Sequence, residues 1–293
     1  IYNMIKRKLR INNLIKPLFT PNLLLPGWEN HSIKAPPYYS ELDRDNSFSK
    51  VSTQITFESN ENNIALLELE KFGMSPTDKY VCLYIREANY QLNSSSILYC
   101  HDINNFSYIA EKLIEEGYYV LRMGKGVKTK LNTQKEKIID YAYYFHSDLM
   151  DIWLPAHCEF MITTGGGLDV IPQIFRRPFL YINCYNIFTF RSEVFNSLVT
   201  FCRLKRNGSP IKASEMIHEI GLTKIFRMNL FQNEIDFTLE YQSQDEIIET
   251  IDEFILRING EWVEPSDERT LNKRFWEVLK GWKSSDVINV PFE

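Results

Sequence analysis

Several features that would identify a specialised chain at once are missing. There are five cysteines, Cys82, Cys100, Cys158, Cys184 and Cys202, an odd number with no pair at CxxC spacing, so neither a disulfide framework nor a zinc site follows. Cys82, Cys158 and Cys184 stand in or beside apolar runs and read as small buried hydrophobes, which fits a reducing compartment. No run of about 18 apolar residues and no signal-peptide pattern is present, so neither a membrane-spanning helix nor a secretory leader is expected. Positive charge is not in excess: 33 Lys and Arg face 38 Asp and Glu, a net charge of -5, which argues against a nucleic-acid partner. There is no GxGxxG, P-loop or HExxH pattern, and Gly124-Lys125-Gly126 is too short to count as a phosphate-binding loop. Internal repeats and low-complexity tracts are absent.

What remains is a chain able to bury a core. Of its 293 residues 44% are hydrophobic and 24% charged, enough for one large domain or two ordinary ones. Aromatics reach 14%, which suits a Tyr- and Phe-rich core and equally suits stacking on bases or sugars. The chain opens on Ile1, as an excised piece of a longer protein would. Its opening stretch interleaves Lys6, Arg7, Lys8, Arg10 and Lys16 with Ile and Leu. That pattern fits an anionic membrane surface or, the preferred reading, a helix packed on its own protein.

Up to residue 60 the sequence has no regular rhythm. Pro26, Pro36 and Pro37 mark an irregular connection, and Asp43 to Asn62 is polar. Asn63–Phe72 reads as a short amphipathic helix stopped by Gly73. From there apolar runs alternate with helical spacings. Strands are expected at Tyr80–Ile85, Tyr118–Met123, Glu159–Thr164 and Phe179–Asn183. Helices are expected at Asp102–Glu116, stopped by Gly117, at Asp148–His157, capped by Ser147, and at Leu168–Phe175. The strands lack polar alternation, so both faces should be covered and the sheet should be parallel with crossover helices. The remainder reads as more helical. A capping box at Ser243–Glu246 precedes Ile247, Ile251, Phe254 and Ile255. A last helix from Ser266 should carry Leu271, Phe275, Leu279 and Trp282.

An open parallel sheet binds ligands outside the carboxyl ends of its strands. That rim should carry Arg86 and Glu87 after the first strand, and Arg122, Gly124, Lys125 and Gly126 after the second. Thr163, Thr164 and Gly165-Gly166-Gly167 follow the third. Two arginines, hydroxyls and glycine backbone on one rim suit a diphosphate: arginine grips phosphate bidentately and glycine lets the backbone approach. Asp148 is a candidate ligand contact as well as a helix-start residue. Asp102, beside His101, and Glu87 are candidates for removing a proton from a hydroxyl. No metal is expected; the Asp43-Arg44-Asp45 spacing reads as solvated loop.

At these residues a resemblance appears. YVCLYIRE (80–87), HDI (101–103), GYYVLRMG (117–124), IIDYA (138–142), SDLMDIWLPAHCEF (147–160) and TTGGGLDVIPQIFRRP (163–178) occur in order over about a third of the chain. Together they resemble a family of bacterial glycosyltransferases found among surface-polysaccharide genes. More distantly, the strand ending in Arg86 is similar to the His-x-Arg motif of fucosyltransferase-like enzymes, with Tyr84 where that motif has histidine. The resemblance implies a GT-B-like fold, an open Rossmann-type sheet with flanking helices facing a second domain across a cleft. The N-terminal half would then be reduced or partly absent. It also implies a phosphate role for Arg86.

The expectation is therefore a metal-independent glycosyltransferase without a cofactor. It would take a nucleotide-diphosphate sugar as donor substrate and a glycan or lipid-linked saccharide as acceptor. The setting is cytoplasmic, with peripheral contact to the inner membrane at most. Arg86, Arg122, Gly124, Asp148, Thr163, Thr164, Gly165, Gly166 and Gly167 would bind the donor; Arg86, Glu87 and Asp102 would serve catalysis. An N-terminal region is placed at 1–75, the nucleotide-sugar-binding domain at 76–263 and a C-terminal helix and tail at 264–293. A nucleotide-sugar epimerase of the same fold and a non-catalytic nucleotide- or glycan-binding module are the alternatives.

Overall fold

A strand with no polar alternation has no face to leave in water, and Tyr80–Tyr84 (β1) is such a strand. The computed structural model describes residues 52–53, 55–87, 101–184, 196–212, 215 and 237–280. Expectations for residues 1–50, among them the basic opening stretch and the Asp43–Asp45 pair, lie outside that range, as does Trp282.

Five further strands join β1: Tyr119–Arg122 (β2), Ile138–Ile139 (β3), Phe160–Thr163 (β4), Phe179–Cys184 (β5) and Ser197–Phe201 (β6). They form one sheet in the order β3-β2-β1-β4-β5-β6, and every neighbouring pair is parallel. The chain enters at the centre, steps outward to β3, then returns to the far side of β1 and steps outward again. Strand order thus reverses between β1 and β4.

Alternate residues of the strands feed two separate cores. Cys82, Leu121, Met161 and Phe179 face one side, where helix α1 (Ser59–Lys71) brings Ala65 and Leu69, helix α3 (Tyr141–Tyr144) brings Tyr141, and helix α4 (Met150–His157), packed against the short helix α5 (Val170–Ile174), brings Trp153 and Leu154. Val81, Leu83, Val120, Phe160 and Leu180 face the other, against helix α2 (Ser107–Glu115) and helix α6 (Gln244–Asn259). The sheet is therefore an open, mixed-family α/β layer with helices on both faces, as the alternation of apolar runs requires. Residues 59–71 pack on the sheet, and the Trp153 indole donates to the Asn62 side chain at 2.9 Å.

Local signals set the helix ends. Ser243 Oγ accepts from the Glu246 amide at 3.3 Å while Glu246 accepts from the Ser243 amide at 2.8 Å. Gly260, in the left-handed region at φ 74°, ends α6. Between these, Ile247, Ile251, Phe254 and Ile255 share the buried stripe.

One correction concerns the C-terminal third. The expected helical character does not extend over 197–210. There β6 completes the main sheet, and Arg203–Arg206 (β7) pairs antiparallel with Ser209–Pro210 (β8) and with Phe237–Glu240 (β9). Asn207 and Gly208, at φ 50° and 79°, make the tight turn between β7 and β8. In the last helix, α7 (Ser266–Lys280), Phe275 packs near Phe201 at 6.0 Å between ring centroids, while Leu271 is 60% exposed.

Candidate functional site

The reversal between β1 and β4 parts the loops that leave these two strands, and a crevice of that kind is where open α/β sheets hold ligands. Its two sides are stitched together. The Arg86 amide donates to Thr164 Oγ1 at 3.1 Å, and the Thr164 amide donates to the Tyr84 carbonyl at 3.2 Å. The His101 amide donates to the Arg86 carbonyl at 2.8 Å. Arg86, Thr164 and His101 are thus fixed at one place.

The glycine loop is held from within. Thr163, fully buried, donates from its hydroxyl to Asp169 Oδ1 at 2.8 Å and accepts from the Gly165 amide at 2.8 Å. Asp169 Oδ2 accepts from the Gly166 amide at 2.7 Å. Two of the three glycine amides expected to meet a ligand are therefore used inside the loop. These two glycines are also explained sterically. A Cβ on Gly165, where φ is +102°, would lie 2.8 Å from Cζ of Tyr181; one on Gly166 would lie 2.6 Å from the hydroxyl of Tyr84. Gly167 differs: it is exposed, nothing lies within 4 Å of where a Cβ would sit, and it opens the single turn Gly167–Asp169.

Arg122 stands apart from this crevice. Its side chain is fully buried. Nη1 donates to both carboxylate oxygens of Asp140, at 2.9 and 3.1 Å, and to the Thr129 carbonyl at 2.7 Å, while Nη2 donates to Glu87. The other oxygen of Glu87 accepts from the amides of Lys128 and Thr129 at 3.3 and 3.5 Å, and Asp140 Oδ2 accepts from the Leu131 amide at 2.7 Å. An arginine enclosed by two carboxylates has neither the charge nor the surface to hold a diphosphate, and Glu87, buried with both oxygens engaged, is not open to an acceptor hydroxyl. In this geometry Arg122 and Glu87 form, with Asp140, the clamp that ties the ends of β1, β2 and β3 to the loop 124–131. Gly124 is buried beside Val127 and Ala142. Asp148 is exposed and pairs with Lys125 at 3.3 Å.

Asp102 caps the turn Ile103–Phe106: its Oδ1 accepts from the Asn104 amide at 2.9 Å. Beside it, the His101 ring lies edge-on to Phe106 and Tyr241, at 5.2 and 4.9 Å between centroids. Burial among these rings pushes its pKa down to about 4, so the imidazole is neutral near pH 7. Next along from Tyr241, the Gln242 amide donates to Asn183 Oδ1 at 2.8 Å. Asn183 sits in the left-handed region at φ 54°, where the β5–β6 register shifts. Among the described residues no group of three or more His, Cys, Asp and Glu side chains is placed to hold a metal ion, and no helix is long and apolar enough to cross a membrane.

Sequence reasoning overlooked Tyr84 and Tyr181 as the reason for two glycines, and Asp140 and Asp169 as the carboxylates that hold the loops. The second pair had a signal: each stands inside a motif already singled out, IIDYA and TTGGGLD, where an acidic residue directly after or among apolar positions needs a partner.

No family model matches the chain, and no curated protein matches it. Among solved structures it is similar to the E. coli ADP-heptose LPS heptosyltransferase II, at 17% identity and a TM-score of 0.39, over 62% of this chain and 54% of that one. The chain thus spans little more than half the length of that protein. A likeness of this size leaves the question of function to the geometry of the crevice.

Proposed function

We propose that the chain is a glycosyltransferase that binds a nucleotide-diphosphate sugar in the β1/β4 crevice and passes the sugar to a glycan or lipid-linked acceptor of bacterial surface polysaccharide. One observation carries the reading: the Arg86 amide is bonded to Thr164 across the reversal of strand order, so the backbone of Arg86 and the glycine loop are held together at the carboxyl end of the sheet, where such folds take ligands. A guanidinium there would stabilise the negative charge that builds on a leaving diphosphate. The exposed Gly167 would let backbone approach the phosphates. Asp102, one residue from His101, is the exposed carboxylate near the crevice and would take the proton of the acceptor hydroxyl. Arg122 and Glu87 act here only by holding shape. A GT-B arrangement, chemistry without metal and a cytoplasmic setting belong to the same proposal, and rest on the motif resemblance.

Calorimetry with UDP, GDP, CDP, ADP and CMP tests it, using the native chain and Arg86→Ala. The expected result is tight binding of one nucleotide, lost in the variant. No binding, or equal binding by the variant, would remove the donor site from this crevice. With the donor in hand, product analysis with and without acceptor separates transfer from epimerisation, since an epimerase converts the donor alone. Binding without turnover in the presence of acceptor would mark a non-catalytic module.

A further inference from the structure

The loop 124–137 leaves the sheet with five lysines, Lys125, Lys128, Lys130, Lys135 and Lys137, and one acidic residue, Glu136, in a chain whose net charge is -5. Its backbone is pinned from inside. The amides of Lys128 and Thr129 bond to Glu87, the Thr129 carbonyl accepts from Arg122, and the Leu131 amide bonds to Asp140. The Asn104 side chain holds the Lys130 carbonyl at 3.3 Å and the Asn132 amide at 2.9 Å. With these groups turned inward and Leu131 buried, the side chains of Lys128 and Lys130 stand in water.

Next to them three aromatic residues are also exposed: Tyr143 at 45%, Tyr144 at 53% and Phe145 at 45%. The rings of Tyr143 and Tyr144 lie 4.9 Å apart and those of Tyr144 and Phe145 6.2 Å apart. The Lys130 ammonium is 5.3 Å from the centre of the Tyr144 ring, so Lys130 and these aromatics form one surface. Three neighbouring exposed aromatics are a poor surface for water alone.

We infer that this surface, the lysines of loop 124–137 with Tyr143, Tyr144 and Phe145, docks the protein on an anionic phospholipid bilayer. Tyrosine rings settle at the headgroup level, the exposed edge of Phe145, whose ring packs 4.6 Å from that of Phe72, adds apolar surface beside them, and lysine stems lie along that surface with their ammonium groups among phosphates. The chain's own opening stretch is a poor occupant, because Lys6, Arg7, Lys8, Arg10 and Lys16 would meet lysines. The Lys125–Asp148 pair removes one charge from the patch and leaves the other lysines.

The test is co-sedimentation of the full chain with phosphatidylcholine vesicles and with vesicles that also contain phosphatidylglycerol, at low and high salt. Binding is expected only with phosphatidylglycerol, weakening as salt rises. Lys128→Glu with Lys130→Glu should lower partitioning about tenfold or more. Tyr144→Ser with Phe145→Ser should lower it without abolishing the salt dependence. Circular dichroism verifies that the variants fold, and Lys128→Gln with Lys130→Gln serves in place of the charge reversal if that variant does not. Failure to bind at low salt, equal binding to both vesicle types, or native binding by both variants would each overturn the inference; the last would put the contact elsewhere in the chain. The readout needs no nucleotide, so it stands or falls apart from the donor site.

Discussion

Tyr84 and Tyr181 lie in one register row across the sheet, with Thr163 of the intervening strand between them, and each closes on one glycine of the loop that follows. Alanine at Gly165 or Gly166 must displace one of these rings. Each change should cost about 1–3 kcal/mol, with Gly165 the worse because its backbone is also left-handed. Gly167→Ala should stay within about 0.5 kcal/mol of native, since its Cβ meets nothing. Urea unfolding measures all three. If nucleotide binding were then lost in Gly167→Ala alone, the third glycine would be the one that faces the ligand.

The clamp of Glu87, Arg122 and Asp140 is buried, so removing its one cation leaves two carboxylates without a counter-charge. Arg122→Met should destabilise by about 3–5 kcal/mol. Combining it with Glu87→Gln and Asp140→Asn should recover part of that loss, because the stranded charges are gone. Limited proteolysis should find loop 124–137 cleaved faster in the single variant, as these groups hold much of the loop's inner side. Arg122→Lys, if folded, should keep its nucleotide affinity, whereas Arg86→Ala should not.

Acid should weaken the fold through His101. Folded, its pKa is about 4 against an ordinary value of 6.5. Between these values the unfolded chain takes up a proton that the folded chain refuses, so stability is full above about pH 6.5 and falls as pH drops towards 4. At about 1.4 kcal/mol per unit, the loss approaches roughly 3 kcal/mol. Burial shifts His157 in the same direction. Glu246, held down to about 2 by Arg203, adds its loss only at lower pH, from about 4.5 to 2. Thermal unfolding from pH 7 to 4.5 should show a shallower fall in His101→Gln than in the native chain.

Phe254 lies under the sheet against Phe160 and is 1% exposed. Phe254→Ala should cost about 3–5 kcal/mol in urea unfolding, in line with a large cavity in a helix-to-sheet contact.

The central strands and α6 were legible because their signals are local. An apolar run of five residues bounded by turns, or a Ser-x-x-Glu box before an amphipathic stripe, says what it is without reference to partners. Strand β3 was not legible, since two paired residues carry no period. The β7–β8 turn was legible and overlooked: Asn207-Gly208 is the dipeptide that a tight hairpin favours. At the candidate site, sequence placed Arg86 and Thr164 on one rim, and they are bonded there. It could not foresee the enclosure of Arg122, which the arrival of Asp140, 18 residues on, completes beside Glu87.

The shortness of β3 also bears on the protein's behaviour in solution. An outer strand with a long row of unpaired amides and carbonyls is a template on which another molecule can add a strand. Here the outer strand is two residues long, and the exposed ammonium groups of Lys135 and Lys137 stand just before it. Among the described residues that margin offers a visiting β-segment little backbone to pair with.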